Sequence, residues 1–262
     1  MENEPSPDAK RWRDWEEDGF FLIREFVDST LTSGMLERVI EIARNHSAKQ
    51  TQGRAVVLPE TNLADSVPRE ALPEHRVSKI FRLHRDPVFH EFITSATVAR
   101  LLTPLLGPAV DCFLSQFIFK NPGAWGQPWH QDEFYFPFDH SPEVGLWLAV
   151  TESTLENGCL FVVPGSHREP VHQHIPDRRP SSNFGYFEIV DHDMSAAVPV
   201  LMKPGDLLVF HSRLMHQSRD NLSNQLRAAM VYHFAPHGTV DKSVDSPVHD
   251  WLQIMPPESE AQ

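Results

Sequence analysis

The chain has 262 residues and carries 36 Asp and Glu against 23 Lys and Arg, which gives a formal net charge of −13 at pH 7. This excess of acidic groups argues against nucleic acid or an anionic membrane surface as the main partner. A chain of this length can bury one substantial core, so we expect a single domain over residues 10–255.

The same composition limits the cellular setting. No run approaches the ~20 consecutive apolar residues of a membrane span, and the polar first ten residues lack the apolar core of a secretory signal. The two cysteines, Cys112 and Cys159, cannot form a disulfide framework and are expected to pack in the core. We predict a cytoplasmic protein, monomeric or homodimeric.

The N-terminal part, residues 10–107, is predicted to be largely helical. Residues 1–9 are expected to be disordered, and residues 11–18 predict a short helix that is followed by a buried strand over residues 19–23. Asp28 or Ser29 then caps a helix whose apolar residues recur at helical spacing. This part of the chain is predicted to be scaffold.

Two further segments complete the N-terminal part. Residues 51–75 mix glycine, proline and charges without periodicity and predict a loop that could cover the mouth of a substrate pocket. Residues 87–106 predict one helix, which Asp86 opens with Pro87 in its first turn and which Gly107 and Pro108 end.

From Ala109 onward, short apolar runs alternate with turn residues. Eight such runs predict strands, over residues 110–120, 129–134, 144–151, 159–163, 186–190, 198–203, 207–210 and 226–234. Their number and spacing favour an all-β barrel or a double-sheet jelly roll as the core, over residues 109–236. Residues 256–262 are expected to form a disordered tail.

The pair His130 and Asp132 is the first candidate for chemistry. In an extended segment, residues two apart share a face, so the imidazole and the carboxylate would point the same way. They would supply two of the three ligands of a 2-His-1-carboxylate triad, which suits non-haem Fe(II). A His-x-Asp pair is expected by chance roughly once in such a chain, and a second copy, His84 with Asp86, is interpreted as a surface histidine beside a helix cap.

The second half of the chain supplies a third ligand and a cation. His211 and His216 both follow the predicted strand 207–210, and alternation along a strand does not choose between them. Arg227 begins an apolar run in which Arg227, Ala229, Val231 and His233 share one face of a strand and Ala228, Met230, Tyr232 and Phe234 share the other. Both faces are largely apolar, so the strand and its guanidinium should be buried, and a buried guanidinium fits a carboxylate.

Taken together and in this order, the motifs resemble the phytanoyl-CoA dioxygenase family of Fe(II)- and 2-oxoglutarate-dependent oxygenases. The matching pieces are residues 130–132, 135–138, 157–160, 163–167 and 205–206, His216 with Ser218, and Arg227. The resemblance implies a double-stranded β-helix, a cupin-like jelly roll, with added N-terminal helices. It also selects His216 over His211, so that His130, Asp132 and His216 would bind the metal.

The resemblance further implies the cofactors Fe(II), 2-oxoglutarate and O2. Arg227, helped by the hydroxyl of Ser218, would bind the C5-carboxylate of 2-oxoglutarate. Lys79 and Trp147 would lie near this cosubstrate, although an exposed lysine and a core tryptophan are equally good interpretations. Gln116 and Gln131 would orient ligands from behind the metal site.

The predicted activity is hydroxylation of an unactivated C–H in a small organic metabolite, with release of succinate and CO2. Asp132 favours this outcome over halogenation, because related halogenases replace this carboxylate with a small residue. Alternatives are another oxidation at the same iron (desaturation, epimerisation, ring closure or halogenation) on a natural-product intermediate or acyl-CoA, and a non-catalytic β-sandwich binding module. Acyl-CoA is disfavoured because Arg178 and Arg179 form the sole basic cluster suited to its phosphates.

The remaining histidines are not predicted to bind a metal. His167 is predicted to lie in a turn. His172, His174 and His192 fall in polar segments and are predicted to lie at the surface.

Overall fold

The computed structural model describes residues 7–45, 55–63, 71–139, 141–179, 185–243 and 248–255. Within these ranges, no helix has both the length and the apolar character that a membrane crossing requires. The predicted tail at residues 256–262 lies outside the described residues, as do residues 1–6 of the predicted N-terminal disorder. The assignment of residues 10–255 to one domain stays a prediction.

Four helices lie in the described N-terminal part. They are α1 Pro7–Asp18, α2 Ser29–Asn45, α3 Pro87–Ile93 and α4 Ala96–Leu106. The first begins at Pro7, within the segment that was predicted to be disordered. Asp28 caps α2 as predicted, since its carboxylate accepts a hydrogen bond of 3.0 Å from the backbone N–H of Leu31.

The predicted helix over residues 87–106 is two helices. Asp86 caps α3 as expected, and its carboxylate accepts from the backbone N–H of Val88. Ser95, however, caps a new helix by accepting from the N–H of Val98. A second N-cap inside the apolar run therefore ends the first helix and starts the next.

The strands form two principal sheets in which every pairing is antiparallel. They are β1 Phe20–Ile23, β2 Val56–Pro59, β3 Val77–Phe81, β4 Val110–Lys120, β5 Val144–Ala149, β6 Leu160–Val162, β7 His174–Pro176, β8 Phe187–Ile189, β9 Val198–Val200, β10 Leu207–His211, β11 His216–Ser218, β12 Arg227–Pro236 and β13 Leu252–Met255. The large sheet has the order β1-β10-β5-β12-β4-β3-β2, with β13 beside β4, and the small sheet has the order β11-β6-β9. Strands β7 and β8 form a separate hairpin.

Strand β12 lies between β4 and β5 and shows how the large sheet is covered. Met230 and Tyr232 belong to the core cluster shared with the helices, where the Tyr232 ring stacks on Phe92 at a centroid distance of 5.5 Å. Ala229 and Val231 belong to a second cluster shared with the small sheet. The two predicted faces of this buried strand are confirmed, and the face with Arg227 is the one that meets the small sheet.

Two predicted segments differ from the structure. The predicted strand 129–134 is an isolated bridge at His130 followed by a 3₁₀ turn over Asp132–Phe134. The turn closes because the N–H of Tyr135 donates to the carbonyl of Asp132. The predicted loop 51–75 contains β2 where it is described, because Val56–Pro59 pairs with β3.

Strands β3, β7, β11 and β13 were not predicted. They are short or carry polar residues, and each is defined by a partner strand that is distant in sequence or lies across a hairpin. Cys112 and Cys159 are buried free thiols, as predicted.

Met230→Ala tests the core on the helical side of β12. The Met230 side chain is fully buried in the large cluster, so its truncation should lower the free energy of unfolding by about 2–5 kcal/mol. Urea denaturation measures this change. Leu222→Ala is the control, because Leu222 is 86% exposed and its truncation should leave stability nearly unchanged; equal effects of the two changes would contradict the assigned core.

Candidate active site

Three buried side chains from distant parts of the chain meet between the two sheets. The Nε2 atoms of His130 and His216 lie 3.4 and 3.7 Å from Oδ1 of Asp132. One ligand atom from each residue lies within 4.8 Å of the other two. The predicted triad residues are therefore brought together.

A backbone bridge positions the two histidines. The N–H of His130 donates to the carbonyl of His216 at 2.9 Å, and the N–H of His216 donates back at 3.0 Å. The two imidazole rings are 4.1 Å apart between centroids. The turn that follows His130 then directs the carboxylate of Asp132 toward both rings.

Hydrogen bonds select the tautomer of each ring. Nδ1 of His130 donates to the carbonyl of Pro128 at 2.7 Å, and Nδ1 of His216 donates to that of Leu214 at 2.9 Å. A carbonyl can only accept, so Nε2 of each neutral ring carries the lone pair that a metal requires. In this structure, the Nε2 of His130 accepts a hydrogen bond of 2.9 Å from the side-chain amide of Gln127.

The charges of the triad suit a divalent cation. Burial and the neighbouring His130 lower the pKa of His216 to about 4, which keeps that ring neutral. Burial disfavours the charged form of Asp132, but His216, His233 and His130 outweigh this cost and hold its pKa below the ordinary value. Two neutral imidazoles and one carboxylate are the ligands of a facial triad.

His211 does not join this group. Its Nδ1 accepts a hydrogen bond of 3.0 Å from the N–H of Arg213, and its ring contacts Trp15 of α1 at a centroid distance of 5.6 Å. The turn between β10 and β11 separates it from His216. The geometry thus groups His216 with His130 and Asp132, while metal binding itself stays a prediction.

A cavity of about 360 Å³ adjoins the triad. Its walls include eight of the residues that the sequence assigned to the site: His130, Asp132, His216, Arg227, Ser218, Lys79, Trp147 and Gln116. Phe81, Leu114 and Phe136 give it an apolar wall. The cavity is thus an aromatic-walled pocket with a few polar groups, as ligand pockets commonly are.

Arg227 is fully buried and incompletely paired. Its Nη2 donates to the carbonyl of Gly158 at 3.1 Å, whereas Nε and Nη1 have no hydrogen-bond partner. The guanidinium lies 5.4 Å from the centroid of the Trp147 ring. Burial lowers its pKa to about 10, so it remains a cation at neutral pH with the N–H groups of Nε and Nη1 left for an anion.

Ser218 and Lys120 lie beside Arg227 on the cavity wall. The hydroxyl oxygen of Ser218 accepts from Nζ of Lys120 at 2.8 Å and from the N–H of Gln127 at 3.0 Å. With both lone pairs engaged, the hydroxyl hydrogen of Ser218 is left to donate. Lys120 is directly opposite Arg227 in the β4–β12 register, so two buried cations adjoin.

A model of the phytanoyl-CoA dioxygenase family, described as Phytanoyl-CoA dioxygenase (PhyH), matches residues 15–229 of the chain. The chain belongs to the phytanoyl-CoA dioxygenase family. The predicted enzyme class, a 2-oxoglutarate-dependent non-haem iron dioxygenase, and the predicted cofactors Fe(II), 2-oxoglutarate and O2 are those of this family.

Individual relatives agree with this assignment. Phytanoyl-CoA dioxygenase 1 of Oryza sativa subsp. japonica is 37% identical over 150 residues, which cover 56% of this chain and 53% of that protein. Peroxisomal phytanoyl-CoA dioxygenase of Bos taurus is 29% identical over 252 residues, which cover 90% of this chain and 73% of that protein. The chain thus matches about half the length of the rice relative and about three quarters of the bovine one.

A solved structure confirms the fold. The epimerase SnoN, in complex with Fe3+, alpha-ketoglutarate and nogalamycin RO, superposes with a TM-score of 0.69 at 16% identity, over 93% of this chain and 89% of that chain. The predicted jelly-roll architecture is therefore correct. The name of the bovine relative refers to the peroxisome, and a cytoplasmic location and the oligomeric state of this family member stay predictions.

Lys79 is buried, so the exposed interpretation of this lysine is wrong. Its Nζ donates to Oε1 of Gln127 at 3.4 Å and lies 4.9 Å from the centroid of the Tyr186 ring. Burial lowers its pKa to about 8. Glu60 lies on the same cavity wall, and its burial raises the pKa of the carboxyl to about 6.

The side chain of Gln131 fixes the segment that carries His130 and Asp132. Its Nε2 donates to the carbonyls of Pro170 and Arg213 at 3.2 and 2.9 Å, and its Oε1 accepts from the N–H of His172 at 2.8 Å. These contacts join three parts of the chain around His130 and Asp132. They agree with the expected orienting role of Gln131, while that of Gln116 rests on its place in the cavity wall alone.

Of the four histidines that were predicted to lie at the surface, His84 is fully buried, and His172, His174 and His192 are half-buried. His174 stacks on Phe134 with ring centroids 4.1 Å apart, and its Nε2 accepts from the N–H of Gln131. His84 is fully buried, and its Nδ1 lies 2.7 Å from the hydroxyl of Ser115. His167 lies in the 3₁₀ turn Ser166–Arg168, as predicted.

Lys120, His233 and Gln127 are among the residues that line the site but were not predicted as part of it. Nδ1 of His233 lies 3.7 Å from Oδ2 of Asp132. The sequence could have indicated His233, because alternation along β12 places it on the same face of the strand as Arg227. For Lys120 the signal was weaker, a lysine at the end of an otherwise apolar strand.

Metal binding is tested by comparing His216→Ala with His211→Ala. Metal-stripped protein is titrated anaerobically with Fe(II) and then 2-oxoglutarate, while the visible charge-transfer band of the chelated pair is recorded. The band should be lost in His216→Ala, which removes a triad ligand, and kept in His211→Ala, whose ring contacts α1. Loss of the band in His211→Ala alone would reverse the assignment.

Proposed function

We propose that this protein is an Fe(II)- and 2-oxoglutarate-dependent dioxygenase that hydroxylates an unactivated C–H of a small organic metabolite. Succinate and CO2 would be the coproducts. One observation carries the proposal: the His130, Asp132 and His216 triad and the incompletely paired guanidinium of Arg227 line the same cavity. A metal site and a carboxylate site in one cavity are what this pair of cofactors needs.

The triad fits the metal. His130 and His216, whose Nε2 lone pairs face inward, and the ionised carboxylate of Asp132 would hold Fe(II), for which a 2-His-1-carboxylate set is suited. When bound, Fe(II) and 2-oxoglutarate supply the O2-activating chemistry that no side chain can provide. The hydrogen bonds from Nδ1 of both histidines to backbone carbonyls support the proposal, because such contacts fix the rings before the metal binds.

The opposite wall fits the cosubstrate. The free Nε and Nη1 of Arg227 would bind the C5-carboxylate of 2-oxoglutarate, and the hydroxyl hydrogen of Ser218 would add a further bond. Lys120 holds the oxygen of Ser218 and contributes positive charge. Trp147 would pack against the guanidinium of Arg227. We also propose that Lys79 and Gln116 lie beside the bound 2-oxoglutarate and contact it with their polar groups.

The pocket supports a small, partly apolar substrate. Phe81, Phe136 and Leu114 provide apolar contacts, and Glu60 offers a polar one. By enclosing the substrate, these walls would orient the reacting C–H and exclude water from the oxidation.

A CoA thioester is disfavoured by charge. Arg178 is bound to both carboxylate oxygens of Glu188 at 3.1 and 3.2 Å, and Arg179 is bound to Asp177 at 2.7 Å. These arginines are paired and do not offer unpaired cations to the phosphates of CoA. We therefore propose a free metabolite as the substrate.

Two alternatives fit the site less well. A non-catalytic binding module has no need for a metal triad and a buried carboxylate clamp together. Halogenation conflicts with the carboxylate ligand Asp132. No described residue favours desaturation, epimerisation or ring closure over hydroxylation.

Arg227→Ala should weaken 2-oxoglutarate binding about 10- to 100-fold, because hydrogen bonds to charged groups contribute about 1.5–3 kcal/mol. The dissociation constant is measured anaerobically from the charge-transfer band of the Fe(II) complex. Arg178→Ala is the matched control, since Arg178 is exposed and paired with Glu188. An unchanged constant in Arg227→Ala would exclude the carboxylate clamp.

Substrate class is tested with free carboxylic acids and their CoA thioesters. Formation of succinate should show a higher kcat/KM with the free acids, because the arginines at the surface are already paired. A preference for thioesters that is lost in Arg178→Ala would contradict this expectation and establish a CoA-binding role for the arginine pair.

A further inference from the structure

A second group of metal-ligating side chains lies away from the triad. It consists of Glu169, His172 and His192, whose ligand atoms lie within 4.8 Å of one another. Glu169 and His172 precede β7, and His192 follows β8, so the three residues meet at the base of the β7–β8 hairpin. We call this group the hairpin cluster.

Both imidazoles of the hairpin cluster face one carboxylate. Nε2 of His172 lies 2.9 Å from Oε2 of Glu169, and Nε2 of His192 lies 3.3 Å from Oε1. The two rings are nearly perpendicular, with centroids 5.2 Å apart. The Nε2 atoms thus converge from two directions, as ligands of one ion do.

Asp191 adds a contact that is characteristic of metal-bound histidine. Its Oδ1 lies 3.2 Å from Nδ1 of His172, the nitrogen that faces away from Glu169. Metal-binding histidines commonly donate their second N–H to a carboxylate, which fixes the ring and strengthens the ligand. The side chains of His172 and His192 are only 16% and 17% exposed, so both rings are held in place.

The contacts of the hairpin cluster leave Nε2 of both rings for a cation. Asp191 engages Nδ1 of His172 at 3.2 Å, so the Nε2 of this ring is the nitrogen that faces Glu169. A divalent ion bound by Nε2 of both rings would leave Nδ1–H of His172 to donate to Asp191, because a carboxylate can only accept.

We propose that Glu169, His172 and His192 bind a structural divalent transition metal, with zinc as the preferred ion. Two imidazoles and one carboxylate, with water in the fourth position, are a ligand set that Zn²⁺ takes in proteins, and the 42% exposure of Glu169 leaves room for this water. This site is separate from the iron triad and does not depend on the proposed function.

The position of the hairpin cluster gives the metal a structural role. The hairpin that it closes leads from Tyr186, which lines the cavity, into β8, where the N–H of Phe187 donates to the hydroxyl of Tyr135. The backbone N–H of His172 donates to Gln131, between the triad residues His130 and Asp132. A metal here would fasten one wall of the cavity.

Cobalt(II) binding tests the proposal. The starting protein is His130→Ala/His216→Ala, which removes two of the three ligands of the iron triad. It should bind one equivalent of Co²⁺ with the visible absorption of a four-coordinate ion, and His192→Ala or His172→Ala in the same background should abolish both. His237→Ala is the matched control, because His237 is an exposed histidine paired with the carboxylate of Asp111.

Two outcomes would overturn the proposal. One is a folded starting protein that binds no Co²⁺, which would make the hairpin cluster an ion-pair network. The other is Co²⁺ binding that survives in His192→Ala. If the starting protein does not fold, wild type should bind two equivalents of Co²⁺ and His192→Gln one, and equal stoichiometry in these two proteins would exclude the site.

Discussion

The backbone bridge between His130 and His216 is the constraint on which the site depends. Its two reciprocal hydrogen bonds bring together the segment after β4 and the start of β11. Two further backbone hydrogen bonds flank the bridge and join the same parts of the chain, from the N–H of Ser218 to the carbonyl of Gln127 and from the N–H of Glu133 to that of Ser212. Each ring is then oriented by a carbonyl two residues earlier in its own segment. Gln131, which lies between His130 and Asp132 in sequence, donates to the carbonyls of Pro170 and Arg213, and these bonds limit the movement of the turn that carries Asp132.

Burial of cations is the second feature of the cavity. Arg227, Lys79 and Lys120 are all buried in its wall. Burial lowers the pKa of both lysines, and the charge of Arg227 lowers it further, although Asp132 raises that of Lys79 in part. Burying these three side chains without a ligand lowers the stability of the protein, because each cation loses its water and repels the other cations. A bound dianion would offset both costs, so the same residues that disfavour the empty cavity favour an anionic ligand in it.

The sequence predicted those parts of the site that depend on local pattern. The two faces of β12 follow from alternation along an apolar run, and the helix cap at Asp86 follows from the residues beside it. The choice of His216 over His211 did not follow from alternation, because a turn interrupts the strand between them, and the family resemblance was needed. The burial of His84 and the partial burial of His174 could not be predicted, since each depends on a residue distant in sequence, Ser115 or Phe134, that packs on the ring. Lys120 was missed for the same reason, because its partners Ser218 and Arg219 are remote in sequence.

Charge is distributed unevenly between the surface and the cavity. The chain as a whole carries −13, yet three of its cations are buried around one pocket. An acidic surface repels polyanions. The buried pocket, in contrast, attracts a small dianion, because Coulomb interactions are stronger where water is excluded. Binding of 2-oxoglutarate would then depend on the buried cations of the pocket and not on the charge of the chain as a whole. Tyr186, which directly precedes β8, lines the same cavity with its ring 4.9 Å from Nζ of Lys79, so the β7–β8 hairpin supplies an aromatic face to one of these cations.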